Sequence, residues 1–296
     1  MNNRPRSGPF FRTALLLAVA VLAATAPAQG PAQDLAQNVD DKLYQSYRAM
    51  YNSNFNEALR QIEQAKALSK DDPLPYAAEA CAMLFREFDR LHVLESEKLL
   101  ADSSSAPHHP YVWDANAEKA FQDALTHSDQ LAQARLAHDG NDVRALLALS
   151  FSNGLRADNA GLMTLQDFTA LTHMKTADTY AMRLLSLRPD SYDAYVTTGV
   201  GKYIIGARPA PVRWMLKLGG FKADQAEGLK ELALGAERGK YMAPFARILL
   251  VFDDLRHNRI NEAREKLNWL HGQFPDNPLF VHEIARLDRP STARSQ

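Results

Sequence analysis

Apolar residues recur every three or four positions along most of the chain, and short polar turns interrupt them at intervals. Four of the interruptions contain acidic residues together with Gly or Pro, namely Lys70–Pro73, Asp139–Asp142, Arg188–Ser191 and Phe274–Pro278. This spacing places apolar side chains on one face of a helix. The chain lacks the alternating β-branched runs between hairpin turns that predict strands. The pattern therefore predicts an all-α fold built from antiparallel helix pairs.

The helical pattern divides the chain into one main domain and flanking segments. It covers residues 41–287, which we expect to form a single repeat domain. Residues 29–40 are polar and rich in Gln and Ala, and we expect a flexible N-terminal segment there. The polar residues 288–296 predict a disordered tail. Within the domain, Gly206–Gly220 is the one long stretch that breaks the helical pattern.

Small and apolar residues recur at matching positions in several helix pairs, and the chain resembles tetratricopeptide-repeat proteins. In that family each repeat has about 34 residues, small residues let two antiparallel helices approach, and a proline closes the second helix. The resemblance covers residues 41–69 and 141–287, whereas residues 90–137 fit poorly. Lys42 and Gln45 depart from the pattern, since an aromatic residue and a leucine belong there. The matching residues are Ala58, Ile62 and Ala65, then Ala177, Ala181, Leu184 and Pro189, then Tyr195 and Gly199, and finally Ala263, Leu267, Leu270 and Pro275.

The resemblance implies an irregular α-solenoid, with some extended helices, whose concave side binds ligands. Tyrosines suit such a surface because a flat ring and a hydroxyl contact a partner at low entropic cost. We hypothesise that the groove binds an extended peptide or a partner helix. The alternative is that the same residues pack against the neighbouring pair, and full burial of Tyr47 and Tyr203 would exclude the groove assignment. The lining positions are occupied by Tyr47, Met50, Tyr51, Val196, Val200, Tyr203, Ile248 and Phe252.

The irregular segment Pro209–Leu218 combines apolar side chains with cations. Arg213, Trp214 and Lys217 form a candidate contact with a membrane or partner, because an aromatic ring and cations suit the headgroup level of a bilayer. The alternative, which we favour, is a short helix tucked over the array with its charges reaching out to water.

The first 28 residues have the features of a secretory signal peptide. Arg4, Arg6 and Arg12 form a positive region, and an unbroken apolar run of 11 residues extends from Ala14 to Ala24. As a helix this run would reach only roughly 16 Å, which is too short to span a bilayer. Small residues then predict cleavage after Ala28. We expect an exported protein of the bacterial periplasm or cell envelope.

Composition argues against several kinds of chemistry. The formal net charge of −1 becomes −4 when the three leader arginines are removed, so nucleic acid is not an expected partner. The single cysteine, Cys81, lies in an apolar helix and predicts a buried core residue. No spacing of His and Cys predicts a metal site, and no nucleotide-binding or nucleophile motif is present. We therefore predict no catalytic residue, no metal and no cofactor.

Taken together, these patterns predict a non-enzymatic scaffold or adaptor that binds a protein or peptide. Two alternatives remain. One is an enzyme or small-molecule receptor with a pocket between the long central helices, near Trp113–His138 and Thr172–Tyr180. The other is a peripheral membrane protein that uses Pro209–Leu218.

Overall fold

The computed structural model describes residues 31–100, 109–208 and 210–288. Within these ranges the chain forms thirteen α-helices, one π-helical turn and no strand, which confirms the prediction of an all-α fold. The leader predicted at residues 1–28 lies outside the described residues, as do residues 289–296 of the tail. The helices are Pro31–Tyr51 (α1), Phe55–Leu68 (α2), Leu74–Arg90 (α3), Ser96–Leu100 (α4), Ala115–His138 (α5), Val143–Asp158 (α6), Asp167–Leu187 (α7), Tyr192–Gly206 (α8), Ala210–Leu218 (α9), Gln225–Arg238 (α10), Ala243–Arg256 (α11), Ile260–Gln273 (α12) and Pro278–Leu287 (α13), and the π-helical turn Asn159–Met163 follows α6.

Short polar side chains start several of these helices. Asn54 accepts a hydrogen bond from a first-turn backbone N–H of α2, Asp114 does so for α5, Asp142 for α6 and Asp224 for α10. Such caps satisfy donors that have no partner within the helix. The polar turns of the sequence therefore end one helix and begin the next.

The first helix begins earlier than its sequence pattern indicates. We expected residues 29–40 to be flexible, but α1 starts at Pro31 and continues through this segment. Val39 is buried, and Asp40 forms ion pairs with Arg144 and Lys240. Because Val39 lies one turn before the buried Leu43 on the same helix face, its packing extends the helix towards the N-terminus.

Most helices that follow one another in the sequence also pack against one another. Each helix packs against the next one, except that α4 and α9 are bypassed, so that α3 packs on α5 and α8 packs on α10. Contacts between α1 and α3, α3 and α6, and α6 and α8 add a second layer of packing. This serial order follows from short turns between amphipathic helices, each of which needs a neighbour to cover its apolar face.

The two ends of the helical array meet. The side chain of Asn52, just after α1, donates to Asp276 Oδ2 at 2.6 Å and accepts from the backbone N–H of Asp276 at 3.0 Å. Asn277 Nδ2 donates to the carbonyl of Tyr51 at 2.8 Å. At a second contact, Glu283 of α13 accepts hydrogen bonds from the backbone and side chain of Ser96. The helices at the start of the chain are therefore joined to those at its end.

Of the predicted lining residues, Tyr47, Met50 and Tyr51 at the closed end are buried. The main apolar core combines side chains from α1, α2 and α3 with side chains from α11, α12 and α13. Glycines allow especially close packing elsewhere, since a Cβ on Gly228 of α10 would lie 2.7 Å from the carbonyl oxygen of Gly199 on α8. None of the described helices has the length and apolar character needed to cross a membrane.

Candidate functional site

An apolar cavity of about 200 Å³ lies where α1, α3, α11 and α13 come together. We call it the aromatic pocket. Its lining is predominantly apolar, and the polar side chains around it include the exposed His92 and His282, which mark its mouth. The apolar residues that define it are Met50, Tyr51, Phe55, Phe85, Phe88, Leu94, Phe245, Ile248 and Leu279.

Helical spacing explains how the walls are assembled. Phe85 and Phe88 lie three residues apart on α3, and Phe245 and Ile248 have the same spacing on α11, so each pair projects from one helix face. The Phe85 ring centroid lies 6.0 Å from that of Tyr51, 6.1 Å from that of Phe88 and 5.9 Å from that of Phe245. These separations suit offset or edge-on aromatic packing. Phe85 therefore connects three walls of the aromatic pocket.

Tyr51 contributes its ring to the aromatic pocket and is otherwise part of the core. It is 3% exposed, and burial raises the pKa of its hydroxyl well above the usual value, an effect that the backbone N–H of Phe245 opposes. Its hydroxyl makes no hydrogen bond of normal geometry within the described residues. The hydroxyl is therefore neutral and unsuited to act as a base.

The mouth of the aromatic pocket carries two carboxylates. Asp89 is half-buried, accepts a hydrogen bond from Ser53 Oγ at 3.4 Å, and burial raises its pKa. Glu95 is also half-buried and lies 3.3 Å from both His92 Nδ1 and Lys98 Nζ. At neutral pH this rim favours a cation or hydrogen-bond donor on a bound molecule.

Three of the predicted binding residues meet at the aromatic pocket. Met50, Tyr51 and Ile248 line it together, although Met50 and Tyr51 lie nearly 200 positions from Ile248 in the sequence. Each of them is less than a tenth exposed, so they line a cavity and do not form an open surface. The sequence identified these residues but not the aromatic side chains opposite them.

The other predicted residues are part of the packing between helices. Tyr47 is 4% exposed and stacks on Tyr241 with ring centroids 5.1 Å apart, so the expectation that it lines a free groove is corrected. Val196 is buried in a separate cluster between α8, α10 and α11, and Val200 packs against that cluster. Tyr47 is covered because the start of the chain packs on the distant residue Tyr241, whereas Val196 and Val200 are covered by the neighbouring helices α10 and α11.

Tyr203 and Phe252 occupy intermediate positions. Both are half-buried, with Tyr203 packed on the cluster around Val196 and Phe252 packed on the main core. Burial and the neighbouring carboxylate of Asp253 raise the pKa of Tyr203 to about 12. Neither residue lines the aromatic pocket, so the eight predicted positions do not form one continuous surface.

The helix α9 differs from the structure that we favoured for it. We expected a short helix tucked over the array, but no residue of α9 is buried. Trp214, Met215 and Leu218 are 66%, 61% and 70% exposed. Lys217 is exposed as well, whereas Arg213 is half-buried. Pro209, the first residue of the predicted segment, lies outside the described residues.

The buried acidic pair of α11 and the single cysteine belong to the packing between helices. The buried pair Asp253 and Asp254 is bound by Arg259, and Lys266 Nζ lies 2.6 Å from Asp254 Oδ2. Cys81 is buried, as its apolar helix predicts, and burial raises the pKa of its thiol. Across residues 31–100, 109–208 and 210–288, no three His, Cys, Asp or Glu side chains are grouped so that they could hold a metal ion.

The region near Thr172–Tyr180, considered as a small-molecule site, contains a cavity of only about 20 Å³. Met174 and Asp178 line it on α7, and Lys202 and Lys222 lie opposite. Burial raises the pKa of Asp178, while the two lysines oppose that shift. Such a volume has room for about one water molecule.

The remaining walls of the aromatic pocket were not predicted from the sequence. The spacing of Phe85 and Phe88, and of Phe245 and Ile248, was a usable signal for a shared helix face. No signal in the sequence showed that α3, α11 and α13 face one another.

No protein-family model and no curated protein sequence matches the chain.

Proposed function

We propose that this chain is a non-enzymatic binding protein that holds a partner polypeptide through one apolar side chain inserted into the aromatic pocket. The observation that supports this most directly is the apolar cavity of about 200 Å³ that includes Met50, Tyr51 and Ile248. Buried apolar or aromatic anchors in well-packed pockets supply much of the affinity in protein interfaces.

The size of the cavity favours a side chain over a whole small molecule. Sites for drug-sized ligands usually measure roughly 300–1,000 Å³, and the aromatic pocket is smaller. A peptide or partner helix needs to insert only its anchor, while the rest of the partner lies across the mouth. The cavity of about 20 Å³ near Met174 gives less support to a receptor or enzyme site between the central helices.

The carboxyl groups at the mouth of the aromatic pocket indicate the charge of a suitable partner. Asp89 and Glu95 both line the cavity, and because Glu95 already pairs with Lys98, Asp89 is the carboxyl group that faces a partner. We infer that the preferred partner segment carries a lysine or arginine next to its apolar anchor, because complementary charge selects the partner and speeds its association.

We also propose that the protein is exported and that its helices descend from tetratricopeptide-like repeats. Export rests on Arg4, Arg6 and Arg12, the apolar run from Ala14 and the small residues before Gln29. Repeat ancestry is supported by the serial packing of neighbouring helices. In this proposal the periplasm or cell envelope is the place where the partner is met.

A peptide-display selection against the full chain tests the binding function. Peptides with a central Leu, Phe, Met or Trp beside Lys or Arg should be enriched. Ile248→Phe, which fills the cavity from α11, should weaken the selected peptides at least about tenfold, because the anchor no longer fits.

The matched control is Leu250→Phe. Leu250 is on the same helix, about 200° away around its axis, and packs against the cluster around Val196 instead of the aromatic pocket. The proposal is wrong if the two variants bind the selected peptides equally, or if replacing the apolar anchor of a peptide by alanine leaves its affinity unchanged.

A further inference from the structure

The apolar side of α9 faces outwards. At about 100° per residue, Val212, Trp214, Met215 and Leu218 fall within roughly half the circumference of the helix, and all four are exposed. The opposite side carries the half-buried Arg213, and the half-buried Leu216 lies about 40° from Val212, at the edge of the exposed face. A surface helix of a globular protein normally turns its apolar stripe towards the core. In α9 the apolar side chains are therefore exposed to water, whereas such side chains are usually buried.

The attachment of α9 leaves this face clear of the helical array. Its main helix contact is with α8, and Arg213 Nη1 donates to the carbonyl of Gly206 at the end of α8 at 3.2 Å. On its other side the chain turns through Gly219 and Gly220, where Gly220 has a φ of +82° that favours glycine. Lys175 of α7 closes this turn by donating to the carbonyl of Gly219 at 2.7 Å.

The charged residues in the sequence on both sides of α9 are of one sign. No Asp or Glu occurs between Ala194 and Ala223, although the whole chain has slightly more acidic than basic residues. Arg208 precedes α9 and Lys217 lies in its last turn, and both side chains are exposed. Lys202 is the exception among the cations of this stretch, since it pairs with Glu231.

We propose that α9 anchors the protein to an anionic lipid surface by lying in the plane of the membrane. Trp214, Met215 and Leu218 would enter the boundary between headgroups and acyl chains, while Arg208 and Lys217 would contact anionic headgroups. Short helices with an apolar face, an aromatic residue and flanking cations bind membranes in this way. Long basic side chains also keep their charges at the headgroup level while their stems contact apolar groups.

The charge pattern decides between lipid and a protein partner. A general protein surface contains both signs of charge, whereas an anionic bilayer matches a segment of 30 residues that lacks any acid. An apolar patch of this kind on a soluble protein marks an interaction surface. The mode of attachment is peripheral, because none of the described helices is suited to span a bilayer.

Co-sedimentation with vesicles tests this proposal. The full chain is mixed with phosphatidylcholine vesicles that either contain or lack phosphatidylglycerol, and all variants share the same N-terminus. We expect binding to the anionic vesicles, and Trp214→Ala should lower it about tenfold, because it removes the largest inserted side chain. Trp214→Phe should retain most of the binding.

Three further variants separate insertion of α9 from nonspecific binding and from the aromatic pocket. Trp269→Ala removes a partly exposed tryptophan from α12, which packs against α11 and α13, and should change vesicle binding less than twofold. The double variant Arg208→Gln with Lys217→Gln should abolish the preference for anionic vesicles. Ile248→Phe should bind vesicles as the unaltered chain does, so this result is independent of the aromatic pocket.

Three outcomes would overturn the proposal. The first is equal sedimentation of Trp214→Ala and the unaltered chain. The second is equal binding to vesicles with and without phosphatidylglycerol. The third is a dimer in sedimentation velocity that Trp214→Ala dissolves in the absence of lipid, since a second copy of the chain would then be the partner of α9.

Discussion

Helices α3 and α9 are both rich in apolar residues, yet their surroundings are opposite. Twelve residues of α3 are buried, among them Cys81, Leu84 and Phe88, whereas none of α9 is buried. Helix α3 packs against α1, α2, α5 and α6, while the main contact of α9 is with α8. The difference teaches that apolar composition alone does not decide whether a helix is buried. The number of neighbouring helices decides it, and that number depends on where the chain turns.

The strongest test of this contrast replaces one large aromatic residue in each helix. Phe88→Ala should lower the free energy of unfolding by about 3–5 kcal/mol, because it removes a buried ring and enlarges the aromatic pocket. Trp214→Ala should change it by less than about 0.5 kcal/mol, because the side chain is mostly in water. Urea denaturation followed by circular dichroism measures both values. Similar losses in the two variants would contradict the assignment of α9 to the surface.

A second test compares a buried ion pair with an exposed one. Arg144 lies 2.7 Å from Asp40 Oδ1 and 2.5 Å from Asp72 Oδ2, and Asp72 in turn accepts the backbone N–H of Leu74 at the start of α3. Arg144→Met should cost about 2–3 kcal/mol of unfolding free energy, because it leaves a buried carboxylate without its cation.

The matched control for this ion pair lies on the surface. Arg188 and Asp190 form a pair in which both side chains are more than half exposed. Arg188→Met should therefore cost less than about 1 kcal/mol. If urea denaturation gave the two variants the same loss, burial would not be the source of the difference.

A third test asks whether the helices next to α9 are themselves loosely packed. A Cβ on Gly228 would lie 2.6 Å from the backbone nitrogen of Tyr203, so Gly228→Ala should destabilise the protein by about 1–3 kcal/mol. A Cβ on Gly272, near the end of α12, would meet no neighbouring atom within 4 Å, and Gly272→Ala should be neutral or stabilising by up to about 1 kcal/mol. Thermal melting of the two variants distinguishes these outcomes. A harmless Gly228→Ala would mean that α8 and α10 separate easily.

A fourth test concerns the pH dependence of stability and uses Asp158, the last residue of α6. Burial raises the pKa of Asp158 from 3.8 to about 7, so the folded state holds this proton more tightly than the unfolded state does. The contribution of Asp158 to stability therefore falls as pH rises from about 4 to about 7 and is constant above that range. Asp158→Asn removes this dependence, and its stability relative to the unaltered chain should increase across the same interval.

A control of opposite sign accompanies this measurement. The hydrogen bond from Arg188 lowers the pKa of the exposed Asp190, so Asp190 favours the folded state above the ordinary pKa of a carboxyl and less so in acid. Asp190→Asn should lose that contribution at neutral pH. Urea midpoints at pH 4, 6 and 8 test both variants, and identical pH profiles would contradict the burial of Asp158.

Much of the local structure follows from the sequence. The apolar spacing predicted helices throughout, and the polar turn at Asp142 ends one helix and caps the next. Three of the residues predicted to line an open groove, Met50, Tyr51 and Ile248, line the aromatic pocket instead. Phe85 and Leu279 were missed, because a helical periodicity states which residues share a face but not which faces meet.

The start of α1 and the position of α9 also could not be predicted from the periodicity of the sequence. Residues before Asp41 are polar enough to indicate a flexible segment, but Val39 reaches the core and Asp40 pairs with Arg144. These contacts join residues that are about 100 positions apart. In α9 the apolar residues suggested a helix tucked over the array, whereas no neighbouring helix covers them.

The sequence by itself determined that the chain is helical, where most helices begin and end, and which side of each helix is apolar. These properties depend on hydrogen bonds and side-chain spacing within a few residues. Only the tertiary structure decided that α1 meets the turn between α12 and α13, that Tyr47 is core and that Trp214 is surface. Those outcomes depend on contacts between segments that are distant in the sequence. The free energy of such a contact comes from the apolar surface that the two segments bury together, so it cannot be assigned to the residues of either segment alone.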